Sequence, residues 1–296
     1  MKHSRHELTG ISLMLQASFS FSVMALCVKI ASQSLPSLEI VFFRSLFGSL
    51  MVGAVMIHRK ISFLGKERKI MALRGISGFI ALTLHFYTIA NLHLGTAVML
   101  NYTAPIFAAI LAILFLKERP GVLLLSMIGL AFFGVYLLVE ARLTEWNWFV
   151  FLAILSAIFA AVAYVSIRAI RHPESPFTII FYFTAISTLG SLFFLPFGFK
   201  WPDTAGWLAL GGVAVGSFFG QWGMTSALRM ARASLISPFS YLTPLLSFFY
   251  GFLLWGEALK LTTLLGAFLI ILAGSLISYF ETKAMGRKPR LPAEIE

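Results

Sequence analysis

Two side chains that could bind ions or exchange protons lie well inside long apolar stretches of the chain. His85 falls roughly fifteen residues into the stretch 70–90, and Arg44 falls about five residues into the stretch 38–58. An imidazole exchanges protons near neutral pH, and a guanidinium holds carboxylate or phosphate groups through paired hydrogen bonds. The sequence therefore predicts a proton-exchanging group at His85 and an anion-binding group at Arg44.

Each of these two residues also has a purely structural interpretation. His85 could remain neutral and hydrogen-bond to a nearby hydroxyl or carbonyl group. Arg44 could pair with Glu39, which precedes it by a little more than one helical turn. A further basic residue, Arg74, lies close to the start of its apolar stretch and is interpreted as an anchor at the membrane edge. Sequence alone leaves both interpretations of His85 and of Arg44 open.

Two short polar clusters interrupt apolar stretches in the same way. The letters "NYTAP" begin at residue 101 and the letters "SYLTP" begin at residue 240. A proline inside a helix lacks an N–H group, so the carbonyl four residues earlier loses its partner. In lipid such a carbonyl must face protein or a wet cavity. The clusters are predicted either as symmetry-related walls of a solute pathway or as packing kinks with internally bonded tyrosines; their residues are Asn101, Tyr102, Pro105, Ser240, Tyr241 and Pro244.

The elements that carry these residues are predicted to be membrane helices. The chain has 296 residues, of which 59% are hydrophobic and only 12% charged, and its mean hydropathy is +0.88. These values are typical of a polytopic membrane protein, in which a spanning helix needs about 20 mostly apolar residues. The sequence predicts an all-α fold with ten transmembrane helices over residues 9–31, 38–58, 70–90, 96–116, 121–139, 147–167, 177–199, 205–228, 234–255 and 261–280.

The net charge of +11 is explained by membrane topology. Most basic residues fall in the termini and alternate loops on one side, whereas the opposite loops hold mainly Arg142, Lys200 and Lys260. Because positively charged loops remain in the cytoplasm, both termini are predicted to be cytoplasmic. The lipid bilayer is therefore the expected partner and nucleic acid is not. The basic residues assigned to the cytoplasmic side are Lys2, Arg5, Arg59, Lys60, Lys66, Arg68, Lys69, Lys117, Arg119, Arg168, Arg171, Arg229, Arg232, Lys283, Arg287, Lys288 and Arg290.

The chain also repeats itself at a constant offset of 139 residues. Pro105 corresponds to Pro244 and Tyr102 to Tyr241, and the offset holds without a gap over roughly 90 positions, which indicates an internal duplication. Each copy holds five helices, so we predict a first repeat over residues 1–140 and a second over 141–296. Five is an odd number, and the second copy therefore enters the membrane in the opposite orientation, as in many secondary transporters.

A row of small residues in the eighth apolar stretch predicts a close helix contact. Gly212, Gly216 and Gly220 are four apart and share one face, which lets a neighbouring helix approach closely. The contact could be static packing or a face that slides during transport. The next two residues, Gln221 and Trp222, are predicted to line a cavity, since a buried amide needs partners and an indole can stack on a ring.

These features together resemble a known family. Each half contains a proline, an apolar stretch and a glutamate, "PIFAAILAILFLKER" at 105–119 and "PLLSFFYGFLLWGEA" at 244–258, as in the EamA group of the drug/metabolite transporter superfamily. The segments "EIVFFR" and "LRG" resemble the branch that contains bacterial S-adenosylmethionine uptake carriers. The resemblance implies a proton-linked or facilitative carrier of small organic solutes. The glutamates, Glu118 and Glu257, are expected to cap the helix that follows each of them.

We therefore expect an inner-membrane carrier that moves a small zwitterionic or anionic, amino-acid-like or aromatic metabolite by alternating access. An S-adenosylmethionine or nucleotide-like solute is the alternative substrate, and a membrane enzyme or a structural subunit is the alternative class. No GxxxxGK[ST] motif is present, so ATP hydrolysis is not expected. No Asp or Glu lies in the middle of a predicted helix, and no cofactor or metal is expected. The chain is expected to be a monomer or weak homodimer. The expected lining residues are Gln16, Ser20, Arg44, His85, Asn101, Tyr102, Tyr164, Gln221, Trp222, Ser240 and Tyr241.

Overall fold

The computed structural model describes residues 2–116, 122–140, 148–170, 174–230 and 233–285, and within these ranges it is all-helical. Twelve α-helices and one short 3₁₀ segment, Leu195–Phe197, follow one another along the described chain. The helices are α1 Lys2–Ala31, α2 Ser37–His58, α3 Arg68–Asn91, α4 Leu94–Asn101, α5 Ala104–Leu116, α6 Val122–Glu140, α7 Trp148–Arg168, α8 Pro176–Phe194, α9 Thr204–Met230, α10 Ala233–Ser240, α11 Leu242–Trp255 and α12 Leu261–Met285.

Six helical segments in the described ranges are long and apolar enough to cross a bilayer. They are Glu7–Ala31, Ser37–His58, Arg68–Asn91, Leu94–Leu111, Trp148–Ile167 and Pro176–Phe197. Large apolar side chains remain exposed along them, among them Leu50 at 62% and Leu189 at 66%. In water such a surface would aggregate, whereas in lipid it is the ordinary outer face of a helix.

Two of the sequence-predicted segments are divided into two helices each. α4 ends at Asn101 and α5 begins at Ala104; α10 ends at Ser240 and α11 begins at Leu242. Pro105 and Pro244 therefore lie in the first turn of the second helix of each pair, where a missing N–H group costs no helical hydrogen bond. The chain turns at Tyr102 and at Tyr241, which places both tyrosines at the breaks.

The long helices pack in matching pairs. α1 lies along α9 and α3 lies along α7, while α2 packs against α8 and α6 against α12. The small-residue face predicted on α9 is the contact with α1, because a Cβ atom added at Gly216 would lie 2.8 Å from the Ser20 carbonyl oxygen. In the α3–α7 pair the Ser156 hydroxyl donates to the Ala81 carbonyl at 2.8 Å.

Residues that are 139 apart in sequence meet at two places in the bundle. The Ser49 and Thr188 hydroxyls lie 3.4 Å apart between α2 and α8. The rings of Tyr102 and Tyr241 lie 5.8 Å apart at the two helix breaks. Positions that correspond between the two halves of the sequence are thus direct neighbours in space, which brings both polar clusters to one place.

Candidate functional site

Arg44 lies on α2 and is buried, with 7% of its surface exposed. Its Nε donates to the Ser217 hydroxyl on α9 at 3.0 Å. The guanidinium carbon lies 6.0 Å from the Phe86 ring centroid on α3 and 5.5 Å from that of Phe183 on α8. Ser217 in turn donates to the Met24 sulfur at 3.0 Å. Arg44 therefore lies where α2 meets three other helices. Its neighbours there are a serine and two aromatic rings, and none of these carries a negative charge.

Pairing of Arg44 with Glu39, one interpretation of the sequence, is wrong. Glu39 instead accepts a hydrogen bond from the Lys200 backbone N–H at 3.0 Å. Across the described residues the ion pair within 4.0 Å is Lys29 with Glu257, and Arg44 takes part in none. The physical reason is helical geometry, since residues five apart point in directions about 140° apart and only those three or four apart face each other.

A second arginine lies beside the first. The Arg74 guanidinium carbon on α3 is 4.6 Å from the centroid of the same Phe183 ring, and the two arginines lie within electrostatic range of one another. Arg74 Nε is buried and has no hydrogen-bond partner within the described part of the chain. A Cβ atom at Gly78 would lie 2.4 Å from Arg74 Nη1, so this glycine makes room for the guanidinium. Arg74 thus points into the bundle, contrary to its interpretation as an edge anchor.

A cavity of about 300 Å³ opens between α2, α8 and α9, with Arg44 among its lining residues. Gln221 and Trp222, both predicted from sequence to line a cavity, are part of its wall. Sequence reasoning did not identify Ser217 or Phe183 as site residues, although Phe183 is the position 139 residues after Arg44. The remaining wall is mostly apolar and consists of Gly48, Val52, Val55, Arg59, Pro176, Phe177, Ile180, Thr184, Ala214, Phe218, Thr225 and Ser226.

His85 and Tyr164 lie next to the two arginines. His85 is within electrostatic range of Arg44, and its Nδ1 atom is buried without a hydrogen-bond partner among the described residues. Tyr164 on α7 lies near Arg74 on α3 and Tyr102 at the α4–α5 break, and 46% of its surface is exposed.

The other predicted site residues lie in helix contacts. Gln16 donates to the Ser20 hydroxyl at 2.9 Å and to the Phe219 carbonyl at 3.4 Å, both at the α1–α9 contact. Asn101 donates to the Ser156 hydroxyl at 2.9 Å, which ties α4 to α7. Ser240 is the last residue of α10.

The two tyrosines at the helix breaks differ in their surroundings. Tyr102 is partly exposed, and its ring lies 5.8 Å from that of Tyr241. Tyr241 is only 4% exposed, and a Cβ atom at Gly274 on α12 would lie 1.7 Å from its hydroxyl oxygen. The structure therefore brings the tyrosine rings together but buries the second one against α12.

Glu257 is a helix cap, but for a different helix from the one expected. Its carboxylate accepts a hydrogen bond from the Leu94 N–H at 2.8 Å, at the start of α4, and pairs with Lys29 at 3.4 Å. The expectation that it caps the following helix, α12, is corrected by this contact between distant parts of the chain. The corresponding Glu118 lies outside the described residues. Within the described ranges no three His, Cys, Asp or Glu side chains are close enough to hold a metal ion.

A chain whose described residues are helical, with several apolar spans and a buried arginine at an internal cavity, belongs to the class of multi-pass membrane transport proteins. The chain is a member of the EamA-like transporter family, whose model matches residues 8–140 and again residues 147–279. It is accordingly a multi-pass transporter of the inner membrane, of the drug/metabolite transporter superfamily.

Its curated relatives are named for different solutes. The chain is 32% identical to the pseudopaline exporter CntI of Pseudomonas aeruginosa, over 90% of this chain and 94% of the relative. It is 27% identical to the S-adenosylmethionine uptake transporter of Rickettsia felis, over 95% and 96%, and 25% identical to the riboflavin transporter of Vibrio cholerae, over 97% and 99%. One solved crystal structure shares the fold with a TM-score of 0.65 and 18% identity, over 93% of this chain and 98% of that one.

Proposed function

We propose that this chain is a secondary transporter that moves a small carboxylate-bearing metabolite, anionic or zwitterionic and amino-acid-like, across the inner membrane by alternating access. The observation that carries the proposal is Arg44, a buried guanidinium that borders the cavity and has no ion pair among the described residues. A carboxylate on the solute is the partner that the arginine needs.

The cost of burying Arg44 supports this assignment. Placing an arginine at the centre of a membrane helix costs about 2.5–3.5 kcal/mol on insertion scales. One hydrogen bond to Ser217 and two ring contacts offset only part of that cost, because a guanidinium has five N–H donors. A bound carboxylate would engage two more donors in a bidentate pair. In a transporter, an unpaired buried charge of this kind is neutralised when the solute binds.

We further propose that the two halves, residues 1–140 and 141–296, are inverted five-helix repeats with ten crossings and both termini in the cytoplasm. The two family matches support this, since they are displaced by the same 139 residues as the sequence repeat. The contact between Ser49 and Thr188 and that between Tyr102 and Tyr241 also support it, because equivalent residues meet on the axis that relates two repeats. Inverted repeats can close alternately on either side of a central site.

The alternative solute class is S-adenosylmethionine or another nucleotide-like metabolite. Trp222 borders the same cavity as Arg44, and the Phe183 ring faces the Arg44 guanidinium, so a solute with a carboxylate or phosphate and a flat ring could use both features. The relatives named for S-adenosylmethionine uptake support this alternative. Import and export are equally compatible with the arrangement.

Reconstitution in liposomes tests the proposal. Liposomes that contain the purified protein are tested with a library of labelled metabolites. Counterflow is measured for the wild type, for Arg44→Gln and for Arg68→Gln. Arg68 is exposed at the start of α3 and provides the same charge change away from the cavity. We expect Arg44→Gln to lower counterflow of a carboxylate-bearing solute at least about tenfold, and Arg68→Gln to leave it unchanged. The proposal fails if the wild type exchanges no labelled metabolite above empty liposomes.

A further inference from the structure

We propose that Arg44 and Arg74 form a paired cationic subsite that selects solutes with two negative charges over solutes with one. The inference rests on the proposed function and deepens it, because it names the charge of the substrate. In the sequence Arg74 lies close to the start of its apolar stretch and was interpreted as an edge anchor. Its position beside Arg44 comes only from the packing of α2, α3 and α8.

The geometry places both cations on one aromatic ring. The guanidinium carbons of Arg44 and Arg74 lie 5.5 and 4.6 Å from the Phe183 centroid, so they can be no more than about 10 Å apart. A short dicarboxylate that enters from the cavity lined by Arg44 can contact both groups at up to this separation, because its two carboxylates bind separate guanidinium groups. Phe183 is itself buried, and its ring holds the arginines at this spacing.

Among the described residues, no acidic side chain forms an ion pair with either arginine. The helices packed around this pair are α1, α3, α7, α8 and α9. From the start of α3 to Asn91, and throughout α7, α8 and α9, the sequence has no Asp or Glu. The one acid of α1, Glu7, lies seventeen residues before Met24, the α1 residue that contacts Ser217. On α2 the single acid is Glu39, which is engaged by the Lys200 N–H. His85 and Tyr164 are the titratable neighbours, and neither brings a negative charge in its ordinary state. Two positive charges are thus left for a ligand to neutralise.

The two arginines have open donors with which to bind such a ligand. Arg74 Nε is buried and unpartnered within the described ranges, and the hydrogen bond that Arg44 makes to Ser217 uses its Nε alone. Like charges this close repel each other when the surroundings are apolar. A singly charged solute neutralises only one of the two, whereas a dianion relieves both the repulsion and the missing hydrogen bonds. Selection for the second charge follows from this difference.

Binding of matched acid and amide pairs tests the inference in purified wild-type protein. The probes are succinate with succinamate and L-glutamate with L-glutamine, in which one carboxylate is replaced by an amide of the same shape. We expect half-maximal thermal stabilisation at a concentration at least about tenfold lower for the diacid than for its amide. Inorganic phosphate is the third probe and should compete with the diacid. In vesicles, adding anionic lipid should not compete, which distinguishes a soluble dianion from a lipid headgroup.

The variants Arg74→Gln, Arg74→Met and Arg74→Lys assign the effect to one residue. Arg74→Gln should lower the affinity for the diacid to that for its amide and leave the affinity for the amide unchanged. Arg74→Lys should keep most of the preference for the diacid, and Arg68→Gln should keep all of it. Arg74→Met provides the same loss of charge if the glutamine variant does not purify. Melting temperature without solute is the folding control, because loss of an unpaired cation should not lower it.

The possible outcomes separate this inference from the proposed function. If the wild type binds diacid and amide equally, or if loss of the Arg74 charge weakens both probes alike, the paired subsite is wrong while carboxylate transport stands. If anionic lipid displaces the diacid, the subsite holds lipid and the inference is wrong as well. If no probe or library metabolite is bound or exchanged by the wild type, the proposed function itself fails.

Discussion

Lys29 and Glu257 join the two halves of the chain through an ion pair of 3.4 Å. The Lys29 ammonium also donates to the Leu92 carbonyl, and the Glu257 carboxylate also accepts from the Leu94 N–H at 2.8 Å. The end of α1, the start of α4 and the end of α11 are therefore held together at one point. In the proposed topology this point lies on the extracytoplasmic side, and we expect it to close that end of the pathway.

Removing the Glu257 charge should open this end and destabilise the protein. Glu257→Gln leaves Lys29 partly buried without its partner, which costs about 3 kcal/mol in comparable cases. We expect a lower melting temperature and faster modification of Cys27, the single cysteine of the chain, by an impermeant maleimide. The control is Lys29→Met combined with Glu257→Gln, which removes both charges and should regain part of the loss. Equal melting temperatures for the wild type and Glu257→Gln would contradict the closed contact.

The contact between α1 and α9 should not tolerate a larger residue at Gly216. A Cβ atom there would lie 2.8 Å from the Ser20 carbonyl oxygen and 3.1 Å from the Met24 backbone nitrogen. We expect Gly216→Ala to destabilise the protein by about 1–3 kcal/mol through overpacking, measured as a lower melting temperature. Gly211→Ala is the matched control, because a Cβ atom at Gly211 meets nothing within 4 Å. The control should be neutral or stabilising by about 0.5–1 kcal/mol, as expected for alanine in a helix.

Tyr241 allows a test of whether a predicted pathway residue acts through its hydroxyl. The hydroxyl is buried without a hydrogen-bond partner among the described residues, so Tyr241→Phe should keep or raise the melting temperature. Tyr102→Phe, at the partly exposed tyrosine of the pair, is the comparison variant and should change the melting temperature little. If Tyr241 contributes to the pathway in another conformation, counterflow falls in Tyr241→Phe although its stability does not. Unchanged counterflow would limit Tyr241 to packing.

We expect Arg44 to lower the stability of the folded protein and to be required for transport. Arg44→Met replaces a buried charge by an apolar side chain of similar length, and an arginine inside a membrane helix costs about 2.5–3.5 kcal/mol. We expect the melting temperature without solute to stay the same or rise, while counterflow is lost. A fall in melting temperature would instead mean that the hydrogen bond to Ser217 and the ring contacts make Arg44 a structural residue.

Several features of the molecule could be predicted from local chemistry. The glycine face of α9 was predicted from spacing alone, and the structure confirms a close helix contact there. Gln221 and Trp222 were predicted to line a cavity, and both border the one between α2, α8 and α9; their contact with a solute stays a prediction. The close contact at the glycine face could be predicted because it depends on residue spacing within one helix.

Other assignments failed because they depend on which helices become neighbours. Glu257 was expected to cap the next helix in sequence, but it caps α4, whose first residue is 163 positions away. Glu39 was a sequence neighbour of Arg44, but its partner is the Lys200 N–H, 161 positions away. Hydrogen bonds of this kind join separate helices, and no local pattern in the sequence encodes their partners.

The sequence by itself determined that this is a multi-pass helical membrane protein with an internal repeat and with family membership readable from its motifs, because hydropathy, charge placement and a constant offset are properties of the linear chain. Tertiary structure alone decided that Arg44 and Arg74 share the Phe183 ring and that neither has an acidic partner in the described part of the chain. The reason is that a charge acts over distances in space, and packing of α2, α3 and α8 sets those distances.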